Sequence, residues 1–176
     1  MQRYCNYELG IMKYERALLM WGKRSSFAVE MVLNMENYVI DDYLKKPCWV
    51  IDILPQRVPA NGPGRYFEVE EYYLREPQMV RLCQKFADIL LKLYCYDDLA
   101  VSGYDDEWLD NPSPEVLAQW VMDRKPLHVL LKTADAMIVV RGDDLYMSLY
   151  GADEETLRLV GILAAAEGLF VWKTMD

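Results

Sequence analysis

Eight carboxylates and no lysine or arginine fall in the 31 residues LYCYDDLAVSGYDDEWLDNPSPEVLAQWVMD, from Leu93 to Asp123. The chain as a whole carries 28 acids against 19 bases, so the remainder holds 20 against 19, and nearly all of the net charge of −9 belongs to this segment. Carboxylates at this density have three uses. As a solvated run they keep a chain soluble. As hard oxygen ligands they hold Mg²⁺ or Mn²⁺ and activate water, which makes a divalent-metal-dependent hydrolase one alternative. The spacing departs from the calcium-binding D-x-D-x-D-G loop, however, and no metal ligand set is assigned. As a docking surface they gain from Tyr104, Trp108 and Leu109, aromatic and apolar anchors set among charges, which let affinity and steering come from separate residues.

Screening acts over about 8 Å at physiological salt, so neighbouring carboxylates act as one field, whereas a single exposed ion pair is worth only ~0–1 kcal/mol. The sequence therefore points to a small protein-binding or regulatory module. Its partner surface comprises Asp97, Asp98, Tyr104, Asp105, Asp106, Glu107, Trp108 and Asp110, facing a basic protein. An immunity or antitoxin role fits that description without being selected by it.

Other chemistry is sparse. His128 is the single histidine, and in LHVLLK it shares a strand face with Leu130 and Lys132. No serine follows the G-x-S-x-G pattern. Cys5, Cys48, Cys83 and Cys95 are spaced without any C-x-x-C pair, so reduced, buried thiols are expected rather than zinc. Asp143 and Asp144 in RGDDLY have the composition of a turn, and Asp41 and Asp42 sit in a polar helical stretch. PANGPG, at 59–64, lacks the ending of a phosphate-binding loop. No catalytic residue and no cofactor is assigned. Thirteen tyrosines and five tryptophans also permit a small-molecule sensor with an aromatic pocket, although such residues more often build a core.

The elements that must position these groups follow from periodicity. CWVIDILPQRV is β-branched and bounded by prolines, a strand. Tyr66 to Leu74 suits a helix or a strand. Beyond Pro77, Met79, Leu82, Cys83, Phe86, Leu90 and Leu93 recur at three and four, the stripe of a core-facing helix. Asp98 to Ser102 forms a short strand before an acidic loop, and Ser113 caps a helix opened by Pro114 and Glu115. LHVLLK, AMIVVR and LYMSLY form an antiparallel meander. A last helix opens at Asp153–Glu155 and closes at Gly168, and LFVWK returns as a strand. That order predicts an α+β fold, a mixed or mainly antiparallel sheet with about three helices packed on it.

At 176 residues, 53% apolar and 27% charged, the chain suits one folded domain of roughly the usual size, over 35–176. Residues 1–34, with a local charge of +2, form an N-terminal arm or a start-site extension. The acidic balance argues against nucleic acid and anionic lipid as partners, and the absence of long apolar runs argues for a cytoplasmic protein away from membranes. WVIDILPQRVP, GPGRYFEVEEYYL, YMSLYG and AAAEGLFVW together resemble a family of uncharacterised bacterial proteins. The resemblance covers roughly 47–172 and implies a single domain, with no activity to carry over.

Overall fold

A computed structural model of the chain describes residues 40–59, 61–103 and 108–174. The expected arm over 1–34 and the acidic residues Tyr104, Asp105, Asp106 and Glu107 lie outside the described residues. After a helical turn over 40–44, the elements are β1 (Cys48–Asp52), α1 (Tyr66–Leu74), α2 (Gln78–Leu93), β2 (Leu99–Ser102), β3 (Trp108–Asp110), α3 (Pro114–Met122), β4 (Leu127–Leu131), β5 (Ala136–Val140), β6 (Tyr146–Tyr150), α4 (Glu154–Ala166) and β7 (Phe170–Lys173). Every strand pair is antiparallel, in the order β3-β2-β4-β5-β6-β1-β7. The α+β class holds, with two refinements. The sheet is antiparallel throughout, and four regular helices accompany it among the described residues.

The helix α2 organises one face. Met79, Leu82, Cys83, Phe86, Ala87, Ile89, Leu90 and Leu93 are all buried, and burying each large side chain contributes about 1.5–3 kcal/mol. They meet Leu117 and Val121 of α3, Val160 and Ala164 of α4, and the inward residues of the strands, Ile51, Val129, Ile138 and Leu149 among them. Local chemistry fixes where the helices begin. The Ser113 hydroxyl accepts from the Val116 amide at 3.3 Å, and the Asp153 carboxylate accepts from the Thr156 amide at 2.8 Å. Each satisfies an N-terminal donor that the helix itself leaves unpaired. Gly142 allows the β5–β6 turn to approach the end of α3, where a Cβ would lie 2.1 Å from the Arg124 carbonyl oxygen.

Because strand side chains alternate, the same strands present a second set of residues to the opposite face. There Met137 and Val139 pack with Tyr43 from the helical turn, beside Ile40, Leu130 and Tyr150. Further along this face, Cys48, Val50 and Asp52 of β1 stand beside Tyr146, Ser148 and Tyr150 of β6 and Trp172 of β7, in the registers Val50↔Ser148 and Val50↔Trp172. No helix among the described residues is long and apolar enough to cross a membrane.

Candidate functional site

On this second face β6, β1 and β7 form the floor of a groove of about 600 Å³, walled by Leu54, residues 56–59, Gly62, Gly64 and the start of α1. Each floor residue owes its place to alternation: Trp49 and Ile51 turn into the helix-covered core, which turns Cys48, Val50 and Asp52 outward. The wall is tied down by hydrogen bonds from the floor and within itself. The Trp172 indole donates to the Leu54 carbonyl at 3.1 Å, the Leu54 amide donates to Asp52 Oδ1 at 3.1 Å, and the Gly62 amide closes a turn on the Pro59 carbonyl at 2.9 Å.

The groove holds a carboxylate among aromatic rings. Burial pushes the Asp52 pKa above the usual carboxylate range, against the opposing pull of the Leu54 and Ile53 amides and the Trp172 indole. Tyr66, at the start of α1, donates its hydroxyl proton to Glu70 Oε1 at 3.1 Å. Burial and this carboxylate push its phenol up to about 12. Tyr146 is also raised, by burial and then by Asp144, with the exposed Arg141 opposing. Tyr150 is raised by burial and by its neighbour Cys48. All three phenols thus keep their protons near neutral pH and act as hydrogen-bonding groups rather than as bases.

The acidic candidates have a different arrangement. The segment expected as a loop contains β3, which pairs with β2 in the register Ala100↔Asp110, Val101↔Leu109 and Ser102↔Trp108. Asn111 pins the end of this hairpin: its amide donates to the Leu99 carbonyl at 2.8 Å, and its side chain accepts from the Leu99 amide at 2.9 Å. Asp97, Asp98 and Asp110 therefore gather at one end of the β2–β3 ladder, opposite the end where the chain leaves Ser102 and returns at Trp108. Asp97 accepts from the Thr133 amide at 2.9 and 3.1 Å and from the Ala134 amide at 2.9 Å. Asp110 meets the Lys132 ammonium at 2.6 Å. Asp98 is exposed, Trp108 is half-buried, and Leu109 is 44% exposed on the edge strand. No group of three or more His, Cys, Asp or Glu side chains poised to hold a metal occurs among the described residues.

His128 lies on β4, half-buried, in register with Ser102 of β2 and Val139 of β5. Cys83 is in the helix-covered core, where burial raises its thiol pKa, and Cys95 is exposed. The groove residues were absent from the candidates that the sequence suggests. Their signals were a charged residue in the middle of the apolar run WVIDIL and the alternation of Tyr146, Ser148 and Tyr150 in LYMSLY.

Fold and site together define the class: a seven-stranded antiparallel sheet with α2, α3 and α4 packed on one face and an aromatic, carboxylate-bearing groove on the other. Comparison of the chain with protein-family models, with curated proteins and with solved structures gives no match.

Proposed function

We propose that the protein is a binding or regulatory module that takes a small organic ligand into the groove of the β6–β1–β7 face. Asp52 carries this reading. A carboxylate held half-buried at an aromatic-lined floor is a burden on the fold, since burial opposes its charge, and a ligand that engages it offsets that burden. The volume of about 600 Å³ falls within the range of about 300–1,000 Å³ common to small-molecule sites. The raised phenols favour binding over proton transfer, because a catalytic acid or base works best with a pKa near the operating pH.

The test is a saturation-transfer NMR screen of a fragment library against the wild-type chain and Ser148→Phe, whose ring fills the middle of the floor. Fragments that bind the wild type and are lost from Ser148→Phe support the groove. A set of hits unchanged by Ser148→Phe sinks it.

A second reading, docking of a basic protein on the acidic hairpin, is favoured by the exposure of Leu109 and Asp98 at the sheet edge. Among the described residues it would use Asp98, Trp108 and Leu109, joined by the sequence-expected Tyr104, Asp105, Asp106 and Glu107, while Asp97 is bonded to the Thr133 and Ala134 amides and Asp110 is paired with Lys132. A metal-dependent hydrolase on the same carboxylates gains less support, since two backbone amides occupy Asp97 and Lys132 neutralises Asp110.

A further inference from the structure

We infer that the ligand of the groove is an organic cation, an alkylammonium or guanidinium group on an apolar or aromatic body, and that Asp52 receives its charge. This deepens the groove reading and rests on it.

Several polar groups that line the groove present acceptors. Asp52 is one. The Tyr66 hydroxyl spends its proton on Glu70 at 3.1 Å, so its oxygen is left with lone pairs to offer, and the Tyr146 hydroxyl lies in the field of the Asp144 carboxylate. The same carboxylates build a negative field. Tyr66 and Tyr146 each feel the charge of Asp52 as well as that of their own partner, and Asp144 feels Glu70. An ammonium ion supplies three donors and a positive charge to such a surface, and a guanidinium supplies five donors.

The rings add to this preference. Tyr66, Phe67, Tyr146, Tyr150 and Trp172 line the groove, and the negative face of an aromatic ring attracts a cation within about 6 Å. Two bases oppose the field, Arg57 at the groove and Arg141 beside Asp144. Both are exposed, whereas Asp52, Glu70 and Asp144 are half-buried. Exposed charges are screened by solvent and salt far more than partly buried ones, so the half-buried Asp52 outweighs the exposed Arg57 among the groove-lining charges. An anion would meet Asp52 head on, and a neutral ligand would cover it without a counter-charge, leaving a desolvated carboxylate unpaired.

Three probes with one ring and three charges decide the question: phenethylamine, phenylethanol and phenylacetate. Each is titrated into ¹⁵N-labelled protein while the Trp172 indole N–H cross-peak is followed, its assignment fixed with Trp172→Phe. The expected result is a saturable shift with phenethylamine at an affinity at least about tenfold above that of the other two. Asp52→Asn, which keeps an oxygen for the Leu54 amide, should weaken phenethylamine by about tenfold and leave phenylethanol unchanged. Equal binding of all three probes, preference for phenylacetate, or full phenethylamine affinity in Asp52→Asn overturns the cation inference while the groove stands as a binding site. No shift with any probe, together with fragment hits indifferent to Ser148→Phe, overturns the groove itself.

Discussion

The Tyr43 hydroxyl donates to the carboxylate of Asp135, 92 positions later in the chain. Lys46 completes the contact: its ammonium lies 2.8 Å from Asp135 Oδ2 and 3.9 Å from the centroid of the Tyr43 ring. Three residues thereby fasten the 40–46 segment to the β4–β5 turn, where Asp135 takes a left-handed conformation with φ 49°. The ring of Tyr43 is buried against Met137 and Val139, so the hydroxyl orients an apolar contact that exists without it. Tyr43→Phe is expected to lose about 0.5–1.5 kcal/mol by urea denaturation. Asp135→Asn keeps a residue type that tolerates this backbone conformation, and because the Asp135 side chain is 73% exposed, its ion pair should contribute only ~0–1 kcal/mol. A loss for Asp135→Asn well above that for Tyr43→Phe would show that the charge, not the oriented ring, holds the segment.

Asp97 bonds two consecutive amides of the same β4–β5 connection, those of Thr133 and Ala134. Partial burial works to raise its pKa, but the amides of Ala134 and Thr133 outweigh burial and hold it below the usual carboxylate range. A depressed acid contributes stability above its unfolded pKa, and that contribution disappears as pH falls through the folded pKa. Asp97→Ala is therefore expected to cost about 1–2 kcal/mol at neutral pH. The gap between wild type and variant should narrow below about pH 4, where the unfolded carboxyl begins to protonate. Urea melts at neutral and acid pH check both parts, and a gap that persists in acid would place the effect outside the charge.

At Asp52 the sign is opposite. Burial raises the folded pKa, so the charged form costs stability above that pKa, and the cost is relieved as pH falls through it. Asp52→Asn is expected to melt at the same temperature as wild type or higher at neutral pH, with the difference vanishing in acid as the wild-type carboxyl takes up its proton. Thermal melts across pH decide this. Stabilisation combined with lost cation binding is the pattern of a residue kept for function at the expense of the fold, whereas a large drop in melting temperature would make Asp52 a structural residue.

Most of the architecture could be read from periodicity, because the elements that carry it bury one face and expose the other. The α2 stripe and the LHVLLK, AMIVVR, LYMSLY meander fall where alternation places them. The ambiguous Tyr66–Leu74 is a helix with no buried residue, so it has no apolar stripe to announce it. It carries local pairs instead, Tyr66 with Glu70 and Glu71 with Arg75, each four residues apart. The strand β3 escaped notice because three residues, WLD, give too short a run to show alternation, and the acids around them read as a loop. The groove was illegible for another reason. Its floor combines β1, β6 and β7, brought side by side from positions near 50, 148 and 172, and no local pattern encodes that adjacency. Asp52 was visible as one charge inside WVIDIL, but its neighbours were not.

The hairpin supports one more prediction. Asp97 and Asp110 are engaged within the chain, so on the docking proposal a basic partner would be drawn by Asp98 and by the acids at sequence positions 105–107. Long-range attraction of this kind speeds encounter rather than holding the finished complex, and added salt screens it away. Replacing Asp105, Asp106 and Glu107 with Asn, Asn and Gln should therefore lower the association rate with a basic protein partner by about tenfold or more at low salt. The dissociation rate should change little, and Leu109→Ala, which removes an exposed anchor, should raise dissociation with association nearly intact. Stopped-flow association at two ionic strengths separates the two effects. An association rate indifferent to both the triple replacement and the salt would leave the acidic segment with solubility as its role.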